Sequence, residues 1–115
     1  MTLSTTWRGR VLVASLKGEL DMKHHETLAT ALDDLATADT TGLVLNFADV
    51  IYLASVGIGM LLKLVQRGRE RGIPVRLAAP RPAVRMVLEM VNAQSTLPMD
   101  ATVDESVEHV VPIAA

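Results

Sequence analysis

Ser55 is the residue whose type and place could carry chemistry. It lies in Val50-Ile51-Tyr52-Leu53-Ala54-Ser55-Val56-Gly57-Ile58-Gly59-Met60-Leu61-Leu62, an apolar strand-like piece, then small residues, then an apolar helical pattern. In open α/β sheets such strand-to-helix corners sit at the carboxyl edge, where ligands and partners approach. A serine at or near a helix N-cap can offer its oxygen to the free amides of the first turn. A phosphate on it would meet the same amides and the positive end of the helix dipole. Each such interaction is worth about 0.3–1 kcal/mol, so phosphorylation is expected to spare the fold and to be felt by a partner. Two uses of the hydroxyl are open here, a plain cap and a phosphate acceptor.

Other chemistries fit less well. Gly57 and Gly59 belong to no Gly-x-Gly-x-x-Gly and no Gly-Lys-Ser/Thr, so no nucleotide-cradling loop is expected. They suit close approach, either of the helix to the sheet or of another protein's backbone to the helix. A nucleophile elbow needs a glycine where Leu53 stands. Asp104 and His109 follow Ser55 in hydrolase order, but both fall in one terminal helix whose apolar residues suggest packing, and no enzyme is expected. Asp21, His24, His25 and Glu26 are too close in sequence to face one another on a helix, and no second ligand cluster accompanies them, so no metal or other cofactor is expected. Arg67, Arg69, Arg71, Arg76, Arg81 and Arg85 have no interleaved aromatics and read as a solvated face, open to salt bridges with an acidic partner.

The chain that positions Ser55 has 115 residues, 50% apolar and 21% charged, with no cysteine and a formal net charge of −2. Residues 1–115 are expected to form a single domain with one real core. No global basic field would hold a nucleic acid. The lack of cysteine suits a reducing cytoplasm. No apolar run approaches the ~20 residues of a membrane span, and Met1 to Arg10 lacks the basic-then-apolar pattern of a signal segment. A cytoplasmic protein is expected.

Thr5-Thr6-Trp7 and Arg10 to Leu16 predict an antiparallel hairpin across Arg8-Gly9. Leu28, Leu32 and Leu35 predict a helix with Asp21 as a plausible N-cap. Gly42 to Phe47 reads as a central strand covered on both faces. A second helix runs from near Ser55 through Ile58, Leu61, Leu62 and Val65 and closes at Gly72-Ile73-Pro74. Val75 to Ala79 reads as a strand, and Pro82 opens a third helix with Val84, Val87, Leu88 and Val91 buried. A short strand near Ser95 to Pro98 and a helix from about Val103 to Val110 complete the pattern. The expected class is α/β, a mixed, mostly parallel sheet opened by an antiparallel hairpin strand, with about four helices. Met60 and Leu64 occupy a helix face offset from that stripe, and Met86 and Met90 repeat the surplus on the next helix. Such residues either fill the core or form an adaptable docking strip beside Ser55.

Several segments, taken in order, resemble a STAS domain, the sulfate transporter and anti-sigma factor antagonist family, and in particular its free-standing bacterial anti-anti-sigma proteins. They are Gly18-Glu19-Leu20-Asp21, Leu43-Val44-Leu45-Asn46-Phe47, Tyr52 to Gly59, Arg71-Gly72-Ile73-Pro74-Val75 and Pro80 to Arg85. The resemblance runs over nearly the whole chain. It implies a four-helix, mixed-sheet, non-enzymatic fold that works by partner switching. The unmodified protein binds a GHKL-type serine kinase that doubles as an anti-sigma factor, and is switched off when that kinase phosphorylates the family's serine. A metal-dependent serine phosphatase would reset the switch.

By position, Ser55 matches the phosphorylated serine and Asp21 the acidic residue beside it; around them Ala54, Val56, Gly57, Gly59, Met60 and Leu64 are read from the sequence as partner-binding neighbours. The family's common pattern is Asp-Ser-Ser-Gly, whereas this chain has Ala54-Ser55-Val56-Gly57, without the preceding carboxylate and the second hydroxyl. The same resemblance leaves a second reading, a non-switching STAS subunit or scaffold, for instance in an ABC-type ATPase complex, where Ser55 only caps. A third, a small-ligand module, requires a pocket.

Overall fold

The computed structural model describes residues 2–20 and 40–110. The hairpin comes first. β1 (Thr2–Arg8) pairs antiparallel with β2 (Val11–Leu20), and Arg8 stands opposite Val11 so that Gly9 and Arg10 make a two-residue turn. Gly9 takes a φ of 66°, a left-handed conformation that such turns demand at their first position. β2 then pairs in parallel with β3 (Gly42–Leu53), β3 with β4 (Val75–Ala78), and β4 with β5 (Met99–Asp100), in the order β1-β2-β3-β4-β5. β3 is central, as its apolar run requires.

Three helices lie among the described residues: α1 (Ser55–Glu70), α2 (Pro82–Met90) and α3 (Val103–Val110). The helix expected through Leu28, Leu32 and Leu35 falls outside the described residues, as do Asp21, His24, His25 and Glu26.

The period-two alternation of the strands divides the core. Leu12, Ala14 and Leu16 of β2 and Leu43, Leu45 and Phe47 of β3 join α1 and α2 in the larger cluster. Val11, Val13 and Val44 turn to the other face and pack on Val107 and Val110 of α3. The central strands are therefore covered on both sides.

β3 is longer than its first apolar run. It continues past β4 to Leu53 because it keeps pairing with β2 through two irregularities, which place one extra residue between Asn46 and Asp49 and another at Ile51. Each extra residue resets the side-chain alternation. Val50 and Leu53 thus join Phe47 in the core while Ile51 and Tyr52 stand exposed.

The last strand falls at Met99–Asp100 rather than at Ser95 to Pro98, where a 3-10 turn over Ala93–Ser95 precedes it. Pro98 has no N–H, and its carbonyl accepts from Leu77 N–H at 2.9 Å, so the ladder starts only there. On α2, Val84 and Leu88 are buried, Val87 is half-buried and Val91 is exposed, because the helix ends at Met90.

Candidate regulatory surface at the start of the helix after strand three

α1 begins immediately after the β2–β3 ribbon ends. Leu20 stands opposite Leu53 across the ribbon, so β2 and β3 terminate together. Ala54 turns the chain with φ −84° and ψ 163°, the extended geometry of an N-cap residue, and Ser55 is the first helical residue. The Ala54 carbonyl accepts from the N–H of Gly57 at 2.9 Å and of Ile58 at 3.2 Å. No side chain caps the helix and its first turn holds no acidic residue. The expectation of Ser55 as a plain cap is corrected here: the cap position belongs to Ala54, whose side chain has no acceptor, and Ser55 is exposed.

One turn on, Gly59 is exposed too, and a Cβ placed on it meets nothing within 4 Å. Ala54 and Val56 are half-buried, and Gly57 is buried. Met60 and Leu64, expected to face a partner, are 5% and 6% exposed and belong to the core. The reason is the width of the buried face, which takes in Gly57, Ile58, Met60, Leu61, Leu64 and Val65. Met86 and Met90 on α2 are instead 61% and 78% exposed. Asp21 follows the last residue of β2 and lies outside the described residues. The surface around Ser55 thus comprises Ala54, Val56 and Gly59, with Ile51 and Tyr52 immediately ahead.

The helix is locked at its other end. Ile73 N–H reaches Gly68 O at 2.6 Å and Gly72 N–H reaches Arg69 O at 3.2 Å, with Gly72 at φ 72°. These are the paired bonds of a Schellman ending. A Cβ on Gly68 would lie 2.5 Å from Ile73 O, so here a glycine is needed for close approach. Two shallow clefts, of 340 and 520 Å³, share Val65, Arg69 and Thr96 along this half of α1, and Ser55 lines neither.

A polar cluster on the α3 side of the sheet escaped the sequence reading. Asp100 of β5 accepts from Arg76 Nε at 2.6 Å and Arg76 Nη2 at 3.1 Å, and from Ser106 Oγ at 2.6 Å; His109 Nδ1 lies 2.8 Å from its other oxygen. Burial pushes the Asp100 carboxyl up, but the Arg76 and Ser106 hydrogen bonds, the Arg76 charge and His109 outweigh it and hold the pKa at about 2 instead of 3.8. The partners come from β4 and α3, so no local spacing announces them. Of the arginines read as a solvated face, Arg76 is thus committed to the fold, Arg81 Nε donates to Ala48 O at 2.9 Å, and Arg85 pairs with Glu89.

No described helix is long and apolar enough to cross a membrane. An anti-sigma factor antagonist from Mycobacterium paratuberculosis is 27% identical, with a TM-score of 0.82 over 95% of this chain and 92% of that one. The anti-sigma factor antagonist SpoIIAA, 20% identical, shares the fold in its unphosphorylated form with a TM-score of 0.79 over 99% of this chain and 100% of its own. The phosphorylated form of the Bacillus protein gives a TM-score of 0.71 over 96% and 100%. The family model for the STAS domain matches residues 2–106, so the chain belongs to the STAS domain family.

Proposed function

We propose that this chain is an anti-sigma factor antagonist that acts by partner switching in the cytoplasm. It is a binding module and not an enzyme. Its unphosphorylated form binds a GHKL-type serine kinase that is also an anti-sigma factor, and phosphorylation of Ser55 releases it. Ala54, Val56 and Gly59 form the docking surface, and Asp21 is its acidic residue, as the family resemblance implies. A metal-dependent serine phosphatase resets the switch.

The observation that carries this reading is the exposed Ser55 at the first residue of α1, a helix start with no side-chain cap. With alanine at the N-cap, no side-chain acceptor competes for the first-turn amides. A phosphate on Ser55 brings about −1.5 to −2 charges to that end of the helix, where dipole and amides favour an anion. The fold tolerates it, and a partner shaped around a neutral serine does not. The anti-sigma factor antagonist SpoIIAA adopts this fold both with and without phosphate, which supports the same expectation here.

The test is to incubate the protein with a cognate kinase and ATP and to map the phosphate by mass spectrometry. Modification confined to Ser55, and lost in Ser55→Ala, supports the proposal. Modification elsewhere, or a partner bound equally by wild type and Ser55→Asp, supports the non-switching scaffold instead.

A further inference from the structure

We infer that the outer edge of β1 is a self-pairing surface through which two copies of this chain join antiparallel and merge their sheets. Among the described residues β1 is an end strand. Apart from half-buried Leu3, every one of its residues is exposed. It pairs with β2 over seven consecutive positions without a bulge. Thr2 to Trp7 contain no proline, lysine or other charged residue, and those, with bulges, are the devices that usually keep a sheet edge from pairing. Threonine, leucine and tryptophan also favour the extended chain.

The turn fixes the phase of the hydrogen bonds. A two-residue loop makes Arg8–Val11 a hydrogen-bonded pair, and alternation then assigns the same role to Thr6–Val13, Ser4–Ser15 and Thr2–Lys17. Leu3, Thr5 and Trp7 therefore turn their N–H and C=O groups outward, evenly spaced about Thr5. A two-fold axis at Thr5 sets Thr5 opposite Thr5, and Leu3 of each copy opposite Trp7 of the other, so every outward donor meets an outward acceptor. The result is an isologous contact.

The side chains agree with that register. Leu3, Thr5 and Trp7 share the face of Leu16, Ala14 and Leu12, which belong to the larger core cluster. Trp7 is 48% exposed there, and in the pair it closes over the other copy's Leu3, a favourable aromatic–aliphatic cross-strand contact. On the opposite face Arg8 meets Thr2 and Ser4 meets Thr6, so no like charges oppose. An extended segment of a foreign protein would gain the main-chain bonds without this matching, which is why a second copy is the occupant.

The chain has no cysteine, so single thiols report the register cleanly. Under mild oxidant Thr5→Cys, on the axis, is expected to give a covalent dimer. Thr2→Cys and Arg8→Cys are each expected to remain uncrosslinked alone and to crosslink when mixed. In sedimentation the wild type is expected to show a concentration-dependent dimer. Thr5→Pro, which removes only an outward N–H, should weaken it at least tenfold with unchanged circular dichroism, and Thr5→Lys should do the same if the proline disturbs folding. Ser55→Asp should leave it intact, which separates this contact from the proposed switch. A chain that stays monomeric at millimolar concentration, crosslinking that ignores the register, or a dimer untouched by both Thr5 variants would overturn the inference.

Discussion

Arg76 grips Asp100 through two donors, at 2.6 and 3.1 Å, across the junction of β4 and β5. Because Ser106 of α3 donates to the same carboxylate, one buried charge ties the last strand, its neighbour and the last helix together. A buried pair of this kind contributes little beyond an apolar equivalent, yet breaking it is costly because the remaining charge is left without a partner.

Acid stability follows from that carboxylate. Its pKa is about 2 in the folded chain against an ordinary 3.8, so its contribution is complete above the unfolded value and is lost as pH falls through the folded one. Unfolding free energy measured by denaturant titration is expected to fall by about 2 kcal/mol from this group between ~pH 5 and ~pH 2. Asp100→Ala should cost about 3 kcal/mol at neutral pH and remove that part of the slope.

Gly68 and Gly59 of α1 are expected to respond in opposite directions. Gly68→Ala places a methyl 2.5 Å from Ile73 O and should cost roughly 1–3 kcal/mol in thermal or chemical unfolding. Gly59→Ala meets open space and should stabilise the helix by about 0.5–1 kcal/mol. If the partner docks here, the same Gly59→Ala variant binds it more weakly despite the firmer fold, which calorimetric titration would show.

Ala54→Asp restores the carboxylate of the family's common pattern at a position already in N-cap geometry. It should accept from the first-turn amides and raise stability by about 1 kcal/mol, read as a rise of a few degrees in melting temperature. An unchanged melting temperature would show that those amides are already satisfied.

These sites differ in how far the sequence discloses them. Strands β2 and β3 and helix α1 are legible because their apolar spacing and their stop signals, such as Gly72-Ile73-Pro74, agree. The approximate place of Ser55 is legible for the same reason. Which of the adjacent Ala54 and Ser55 takes the cap is not legible, because tertiary pairing of Leu20 with Leu53 decides where β3 ends. Met60 and Leu64 were misplaced because periodicity gives the direction of a buried face but not its width. The bulges that expose Ile51 and Tyr52 leave no mark in an apolar run. Asp100 is invisible because its partners arrive from two other elements, β4 and α3.

The central claim is that a single phosphate on Ser55 changes the partner and not the fold. Its most direct test is to measure, by calorimetric titration, the affinity of the cognate kinase for the protein before and after stoichiometric phosphorylation at Ser55, with the melting temperature recorded for both forms. The account predicts near-equal melting temperatures and an affinity at least a hundredfold lower for the phosphorylated form, the scale of a few kcal/mol. Equal affinities for the two forms, or a phosphorylated chain that has lost its fold, would contradict it.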